Sequence, residues 1–121
     1  MAKKILVIDD EPDILKVVLF RIKKLGYETS FVSDGGLAVE AARNEKPDMI
    51  FLDVRLPNKD GYHICAEIKA DPALAAIPVV MMTASCQDIK DKVKTCGAND
   101  YLIKPFDSDT LIAKLSLFAP V

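Results

Sequence analysis

The chain has 121 residues, of which 50% are hydrophobic and 28% are charged, a composition typical of one globular domain and not of a disordered segment. Its 16 basic and 18 acidic residues give a net charge of −2, which argues against direct nucleic-acid binding, because that binding depends on basic side chains at phosphates. No apolar run approaches the ~20 residues of a membrane span, and the N-terminus lacks the longer apolar region of a signal peptide, so we expect a cytoplasmic protein that does not enter a membrane.

The first two apolar runs flank an amphipathic helix. Residues 5–8 are continuously apolar, as in a strand that is covered on both faces. Pro12 suits the first turn of a helix whose apolar residues recur at helical spacing up to Leu25, and Gly26 is a typical stop. Residues 27–32 are more polar and predict a second strand at an edge of the sheet.

The remaining apolar runs and helical patterns alternate in the same way. After a turn at 33–36, the elements are predicted, in chain order, as a helix over 37–44, a strand over 49–52, a loop over 56–61, a helix over 62–70, a strand over 77–82, a helix over 87–96 and a strand over 100–103. A last helix, capped by Asp107 or Ser108, has an apolar face of Leu111, Ile112, Leu115 and Phe118.

Five strand–helix units in succession predict a doubly wound α/β fold of the flavodoxin type. Right-handed crossovers lead us to expect a five-stranded parallel sheet in the order 2-1-3-4-5, with five helices on its two faces. The last helix ends close to the final residue, so we expect residues 1–121 to form a single domain that leaves no room within this sequence for an effector domain. A stand-alone regulator and a receiver domain cut from a larger protein both fit this length.

Polar residues follow the apolar runs at the carboxyl ends of four predicted strands, where ligands bind in such folds. They are Asp9 and Asp10 after the first strand, Asp53 after the third, Thr83 after the fourth and Lys104 after the fifth. Because the first and third strands are neighbours in this order, the three aspartates are expected to share one pocket. Each residue alone has an ordinary structural explanation, such as a helix cap or a loop, but together they predict a site.

The chemistry of this set indicates phosphoryl transfer. Carboxylates a few ångströms apart raise one another's pKa values, and a divalent cation removes that conflict. Oxygen ligands select a hard ion, and a few carboxylates with water suit Mg²⁺. Lys104 supplies a positive charge for a phosphoryl group, the Thr83 hydroxyl can donate to one of its oxygens, and an aspartate can itself be the nucleophile.

Taken with their order along the chain, these motifs identify the sequence as similar to the receiver domain of two-component response regulators, which resemble the chemotaxis protein CheY. The matching segments are residues 7–12, 51–57, 60–61, 79–84, 97–101 and 102–106. The resemblance extends from about Lys4 to Leu117. Each motif is weak alone, and their ordered set is specific.

The resemblance implies a role for each site residue. Asp53 matches the phospho-acceptor, and Asp9, Asp10, Asp53 and the backbone carbonyl of Arg55 match the ligands of Mg²⁺, for which Mn²⁺ can substitute. Arg55 is less typical of the family than a small or apolar residue, and either an effect on phosphoryl lifetime or a solvated arginine fits it.

The resemblance also implies a switch. Thr83 and Ala84 match the phosphoryl-binding segment, and Lys104 matches the lysine that binds the phosphoryl group. Tyr101 matches an aromatic residue whose inward turn remodels the surface of the fourth helix, fifth strand and fifth helix. The Lys104–Pro105 peptide bond matches one that is usually cis in this family.

The implied partners follow from the same family. A histidine kinase or a histidine phosphotransfer protein is expected to donate the phosphoryl group, and an unidentified output protein or fused effector domain is expected to respond to it. The chain is expected to catalyse only its own phosphorylation and dephosphorylation. A dimer that forms on phosphorylation is one of the oligomeric states that the resemblance allows.

Three other classes of protein share part of the pattern. A flavodoxin-like nucleotide binder needs a phosphate loop where Asp9, Asp10 and Glu11 would repel phosphate. A haloacid-dehalogenase-like phosphatase needs a second aspartate where Arg55 stands, and a purely structural module does not explain the converging groups. The three cysteines, Cys65, Cys86 and Cys96, lack C-x-x-C spacing and are interpreted as small apolar residues of helices, and the single His63 cannot build a histidine metal site.

Overall fold

A computed structural model describes residues 2–57, 59–85 and 87–120, and its strands and helices alternate along the chain. The strands are β1 (Lys4–Ile8), β2 (Glu28–Val32), β3 (Met49–Asp53), β4 (Val79–Thr83) and β5 (Asp100–Ile103). The helices are α1 (Pro12–Lys24), α2 (Ala38–Glu45), α3 (Gly61–Ala70), α4 (Ile89–Cys96) and α5 (Ser108–Phe118), and a 3₁₀ turn at Gly35–Leu37 precedes α2.

The five strands form one parallel sheet in the order β2-β1-β3-β4-β5, which confirms the predicted doubly wound, flavodoxin-like fold. Strand β2 is at an edge, as its polar sequence predicts. Every residue of β3 and of β4 is buried, because helices cover both faces of the sheet at these strands.

Side chains alternate across each strand and feed two separate cores. One core joins the sheet to α2, α3 and α4, and it is centred on residues such as Leu52, Ile64 and Met81. The other joins the opposite face to α1 and α5, with Phe51, Ile22 and Leu115 among its members. The two cores hold the strands in register and thereby fix the relative positions of their carboxyl ends.

Several element bounds differ from the sequence prediction for local reasons. Helix α4 begins at Ile89 and not at 87, because Asp88 has a left-handed backbone with φ 58° and therefore lies outside the helix. Strand β4 begins at Val79, after Pro78, which has no N–H to donate to a neighbouring strand. Strand β2 begins one residue later than predicted, at Glu28.

The structure also defines the start of α2, the cap of α5 and the buried face of α5. The predicted turn at 33–36 tightens into the 3₁₀ turn, and α2 therefore starts at Ala38. Asp107, one of the two proposed caps, accepts a hydrogen bond from the backbone N–H of Thr110 and caps α5. Ile112, predicted on the apolar face of α5, is exposed, which corrects that assignment.

The predicted helical cysteines are found on two neighbouring helices. Cys65 lies in α3 and Cys96 ends α4, and both are buried. Cys86 and the predicted loop residue Asn58 lie outside the described residues. Among the helices that the structure describes, none combines the length and the apolar character required to cross a membrane.

Candidate functional site

The carboxyl ends of the central strands bring three aspartates together. Asp53 is the last residue of β3, and Asp9 and Asp10 directly follow its neighbour β1. One carboxylate oxygen from each of the three lies within 4.8 Å of the others. Asp9 is fully buried and Asp53 is 4% exposed, whereas Asp10 is half-buried at the rim. This is the juxtaposition that the strand order requires.

Lys104 provides the positive charge inside this cluster. It directly follows β5, and its Nζ lies 3.1 Å from Asp9 Oδ2 and 3.2 Å from Asp53 Oδ2. Glu11 Oε1 lies 3.7 Å from the same ammonium group. Among the described residues, Lys104 is the cation that contacts Asp9, Glu11 and Asp53, and Asp10 adds a fourth carboxylate, so the site has a net negative charge.

Backbone N–H groups orient the two buried carboxylates. Asp53 Oδ1 accepts a hydrogen bond from the N–H of Arg55, and Asp9 Oδ1 accepts one from the N–H of Glu11. Each aspartate therefore has one oxygen on the backbone and the other on Lys104. Helix α1 has no side-chain cap, so the alternative explanation of Asp9 and Asp10 as simple helix caps is not observed.

A glycine supports the backbone at the end of β3, where Asp53 lies. Gly61 opens α3, and a Cβ at this position would lie 2.1 Å from the carbonyl oxygen of Asp53 and 2.8 Å from Cα of Val54. Its N–H donates to the carbonyl of Val54. The close packing of α3 against the end of β3 therefore depends on the absence of a side chain at Gly61.

Burial and crowding shift the protonation equilibria of the site. Burial, reinforced by the nearby Asp9 carboxylate and opposed by Lys104, raises the pKa of Asp53 to about 6. Burial acts to lower the pKa of Lys104, but the carboxylates of Asp53 and Asp9 outweigh it and raise that pKa. Negative charge at Asp53 is therefore costly in the absence of a further cation.

The donor set fits a divalent magnesium ion. Three carboxylate oxygens within 4.8 Å of one another, two of them on buried residues, provide hard ligands and an excess of negative charge. Mg²⁺ prefers oxygen donors and keeps part of its water shell, which suits a site with one half-buried aspartate at its opening. Nitrogen and sulfur ligands, which predominate in structural zinc sites, are not among the atoms of this cluster.

A cavity of about 280 Å³ opens directly onto the Asp53 carboxylate. Its lining consists of Glu11, Asp53, Val54, Arg55, Thr83, Ala84, Ser85 and Lys104. It therefore joins the predicted acceptor, hydroxyl and lysine in one space that is open to solvent. A tetrahedral group of the size of a phosphoryl group can enter it.

Thr83 and Tyr101 lie on the same face of the sheet. Thr83, the last residue of β4, exchanges hydrogen bonds with Ser85: its hydroxyl donates to the Ser85 carbonyl and accepts from the Ser85 N–H. Tyr101 is opposite Met81 in the β4–β5 register and packs half-buried against the core of α2, α3 and α4. The alternation of side chains places Thr83 on this same face, two residues beyond Met81.

The other predicted site residues surround this cavity. Ala84 is exposed at its edge, and the Lys104–Pro105 peptide bond is cis. The Arg55 side chain is exposed, while its backbone forms a bridge with Asp60 across the loop after β3. The hypothesis of a solvated arginine is consistent with that exposure.

Sequence reasoning assigned no role in the site to three residues that contribute to it. Glu11 adds a fourth carboxylate, Ser85 holds the Thr83 hydroxyl, and Gly61 supports Asp53. Glu11 could have been found from its position directly after the aspartate pair. Gly61 belonged to the matching segment 60–61, but its role was not assigned, because that role depends on the approach of a helix. Ser85 carried no signal, because its role depends on a loop conformation.

Comparison with known proteins agrees with the resemblance to receiver domains. The model of the response regulator receiver domain family matches residues 5–116 of the chain. The receiver domain of a sensor histidine kinase from Pseudomonas aeruginosa PAO1, solved with magnesium in its active site cleft, is 34% identical, with 98% of each chain covered and a TM-score of 0.89.

Two further structures are similar over nearly the whole chain. Chemotaxis protein CheY4 of Vibrio cholerae is 28% identical, with 98% of this chain and 99% of that chain covered and a TM-score of 0.91. The signal receiver domain of a histidine kinase from Syntrophus aciditrophicus is 31% identical, with 97% and 89% covered and a TM-score of 0.88.

Proposed function

Because this chain belongs to the response regulator receiver domains of two-component systems, we propose that Asp53 accepts a phosphoryl group from a histidine kinase or a histidine phosphotransfer protein. The observation that carries the proposal is the position of Asp53, which faces the cavity beside Asp9, Asp10 and Lys104. Residues 1–121 would act as one phospho-acceptor domain.

In the proposed reaction, an oxygen of Asp53 attacks phosphorus and the bond from phosphorus to the donor nitrogen breaks. The electron pair of that bond leaves with the donor imidazole, and an aspartyl phosphate forms. The N–H of Arg55 holds Asp53 Oδ1 in place, and Lys104, 3.2 Å from Oδ2, meets the negative charge of the transferred group.

Asp9, Asp10, Asp53 and the backbone carbonyl of Arg55 would hold Mg²⁺, or Mn²⁺ in its place. When bound, the ion supplies positive charge that neutralises the phosphoryl oxygens and the crowded carboxylates. In its absence, Lys104 is the nearest cation to Asp9 and Asp53 among the described residues. The chain is therefore proposed to assist only its own phosphorylation and dephosphorylation, as a signalling domain and not as a dedicated enzyme.

Intact mass after incubation with acetyl phosphate tests the acceptor. With Mg²⁺, the wild-type chain should gain one base-labile phosphoryl group, and the isosteric Asp53→Asn should gain none. Asp109→Asn, at an exposed aspartate in the first turn of α5, is the matched control and should behave as wild type. Phosphorylation of Asp53→Asn, or a phosphoryl group mapped to another aspartate, would contradict the assignment.

The output of the domain is proposed to be the surface formed by α4, β5 and α5. In the described structure the Thr83 hydroxyl is held by Ser85, and Tyr101 is half-buried on the same face of the sheet. Attraction of the Thr83 hydroxyl to a phosphoryl oxygen would vacate space beside Tyr101, and the ring would then turn inward. An output protein or a fused effector domain would read the changed surface.

Nuclear magnetic resonance with beryllofluoride, which stands in for the phosphoryl group, tests this coupling. The wild-type chain should show shifts around Asp53, around Tyr101 and along α4. Thr83→Ala, which lacks the hydroxyl, should show mainly the shifts near Asp53. Equal distant shifts in both chains would contradict the coupling and leave the acceptor assignment intact.

A further inference from the structure

One carboxylate at the opening of the Asp53 cavity has no part in the phosphorylation proposed above. The side chain of Glu11 is 57% exposed, whereas that of Asp9, two residues earlier, is fully buried. Glu11 is also outside the group of three aspartates whose oxygens lie within 4.8 Å of one another. The Glu11 carboxylate therefore lies between the buried site and solvent, on the side from which a phosphodonor enters.

The backbone of Glu11 fixes where this carboxylate lies. Its N–H donates to Asp9 Oδ1 at 3.0 Å, and its carbonyl accepts a hydrogen bond from the N–H of Leu15 at 2.9 Å. Glu11 directly precedes α1, but its side chain makes no cap hydrogen bond to that helix. An anchored backbone with an unused carboxylate thus places a negative charge at the opening of the cavity.

The opening has charges of opposite sign on its two sides. Glu11 lines the Asp53 cavity and a neighbouring cavity of about 530 Å³ between α1 and the segment after β5. Arg55 lines the Asp53 cavity and a third cavity of about 550 Å³, between the loop after β3 and α4. The opening is therefore negative on the side of α1 and positive on the side of α4.

From this placement, we propose that Glu11 determines which class of phosphodonor the site uses. It favours donors whose leaving group is a nitrogen base, and it disfavours acyl phosphates, whose leaving group is a carboxylate. The inference rests on the proposed phosphorylation of Asp53 and deepens it, because it assigns a donor preference of that site to one side chain.

The physical basis is the charge that develops on the leaving group. An in-line attack by Asp53 sends the leaving group away from that carboxylate, toward the opening where Glu11 lies. When a phosphorus–nitrogen bond breaks, its electron pair goes to a nitrogen that carries a proton, and the base leaves without negative charge. When the phosphorus–oxygen bond of an acyl phosphate breaks, the pair goes to oxygen, and a carboxylate anion forms beside the Glu11 carboxylate. Like charges repel, so Glu11 slows the second reaction more than the first.

Contact with Lys104 is a second way in which Glu11 affects the reaction, and it does not depend on the donor. Glu11 Oε1 is 3.7 Å from Lys104 Nζ, farther than the oxygens of Asp9 and Asp53, at 3.1 Å and 3.2 Å. The two aspartates therefore still hold the ammonium group when the Glu11 charge is removed. A change in the position of Lys104 alters the rates with both donor classes by the same factor, so a comparison of donors separates the two effects.

The experiment compares acetyl phosphate with phosphoramidate, whose leaving group is ammonia, on the full chain at saturating Mg²⁺. Intact mass follows the labelling of Asp53, and the ratio of the two rate constants is taken within each variant, so that the folded fraction cancels. Glu11→Gln should shift this ratio toward acetyl phosphate by about threefold, the effect of two unit charges about 6 Å apart in water. Added sodium chloride should reduce the shift, because these charges are exposed to solvent. Glu11→Asp, which keeps the charge, should retain a ratio close to that of wild type.

Asp13→Asn is the matched control. Asp13 is exposed in the first turn of α1, and it lines the 530 Å³ cavity and not the Asp53 cavity, so loss of its charge should leave the ratio unchanged. An unchanged ratio in Glu11→Gln, an equal change of both rate constants, or the same shift in Asp13→Asn would overturn the proposal. Failure of both donors to label Asp53 in the wild-type chain would instead contradict the proposed phosphorylation, so the two failures are distinguishable.

Discussion

At the scale of single residues, the site depends on one lysine. Lys104 is the nearest cation to two buried carboxylates, Asp9 and Asp53, among the described residues, and it contacts an oxygen of each. A buried charge without a partner is much more costly than a buried pair. The ammonium group therefore stabilises the fold, and in the proposed reaction it also stabilises the negative charge of the transferred phosphoryl group.

Lys104→Met tests this structural contribution. Without the ammonium group, Asp9 and Asp53 lose their common partner, and the free energy of unfolding in a chelator should fall by about 3 kcal/mol. Urea denaturation measures it, with Lys24→Met on the surface of α1 as the control. Addition of Mg²⁺ should recover part of the loss, and equal stability of Lys104→Met and wild type in chelator would contradict the role.

Asp53→Asn should have the opposite effect on stability. Burial makes the ionised carboxylate costly, as the raised pKa of Asp53 indicates, and the amide removes that charge without changing the shape. In a chelator, the free energy of unfolding should rise by about 1 kcal/mol. In excess Mg²⁺ the difference should shrink, because the ion stabilises only the carboxylate, and a destabilised variant in chelator would count against this explanation.

At the scale of elements, the approach of α3 to β3 positions Asp53, the proposed phospho-acceptor. Gly61 allows the first turn of α3 to pack on the carbonyl of Asp53, and Asp60 caps the same helix through the N–H of Tyr62. The strand end and the helix start are thus joined by direct backbone contact. A change in this contact is transmitted to the proposed phospho-acceptor.

Gly61→Ala should impair both stability and phosphorylation. The added methyl group would lie 2.1 Å from a backbone oxygen, so the helix has to move and the free energy of unfolding should fall by about 2 kcal/mol or more. Displacement of Asp53 should also slow acetyl phosphate labelling, measured by intact mass. Gly36→Ala is the control, since its new methyl would meet only the Asp34 side chain, at 3.2 Å.

An ion pair between elements predicts a pH dependence of stability. Asp71, directly after α3, accepts hydrogen bonds from the N–H of Ala73 and from Arg43 of α2, and these lower the pKa of Asp71. A carboxyl with a lowered folded-state pKa stabilises the fold above its unfolded value of about 3.9 and loses that effect as pH falls through the folded value.

Asp71→Asn should therefore have a lower urea midpoint than wild type at neutral pH. The difference should shrink as pH falls below about 4, where the carboxyl first becomes neutral in the unfolded wild-type chain, and it should vanish below the lowered pKa of Asp71 in the folded chain. Urea midpoints across this pH range check the sign, with Arg43→Gln as a second route to the same loss at neutral pH. A difference that grows toward low pH would contradict the assignment.

At the scale of the whole molecule, charge repulsion at one edge of the sheet is balanced by two cores. The cores hold the strand ends together, while the carboxylates of the site repel one another. A ligand that binds only the folded chain stabilises it by mass action. The fold and the proposed metal site are therefore thermodynamically linked.

Mg²⁺ should raise the free energy of unfolding by about 2.7 kcal/mol at about a hundred times its dissociation constant. Thermal unfolding measures the effect, and sodium chloride at the same ionic strength controls for screening. Asp10→Asn, which removes the half-buried carboxylate at the rim, should shift the titration to higher Mg²⁺. An unchanged titration would place the metal elsewhere.

The amino-acid sequence by itself determined the order of elements, the parallel sheet and the gathering of polar residues at one edge. These features depend on local sequence patterns. A run of consecutive apolar residues indicates a buried strand, and apolar residues that recur at helical spacing indicate a helix. Once the strand order is 2-1-3-4-5, Asp53 and Asp9 have to lie at neighbouring strand ends. Exposed Ile112 and the late start of α4 show where periodicity alone misleads, because exposure and a left-handed residue are set by the surroundings.

Only the tertiary structure decided which groups touch. The 3.2 Å contact of Lys104 with Asp53 joins residues 51 apart in sequence, and the approach of Gly61 to the Asp53 carbonyl depends on how α3 packs. The contact of Cys65 Sγ with the Cys96 carbonyl likewise requires two helices to meet at a particular depth. Such distances follow from the close packing of whole helices and strands. A sequence pattern predicts which face of its helix or strand a residue occupies, but it does not predict how far that face lies from the face of another element.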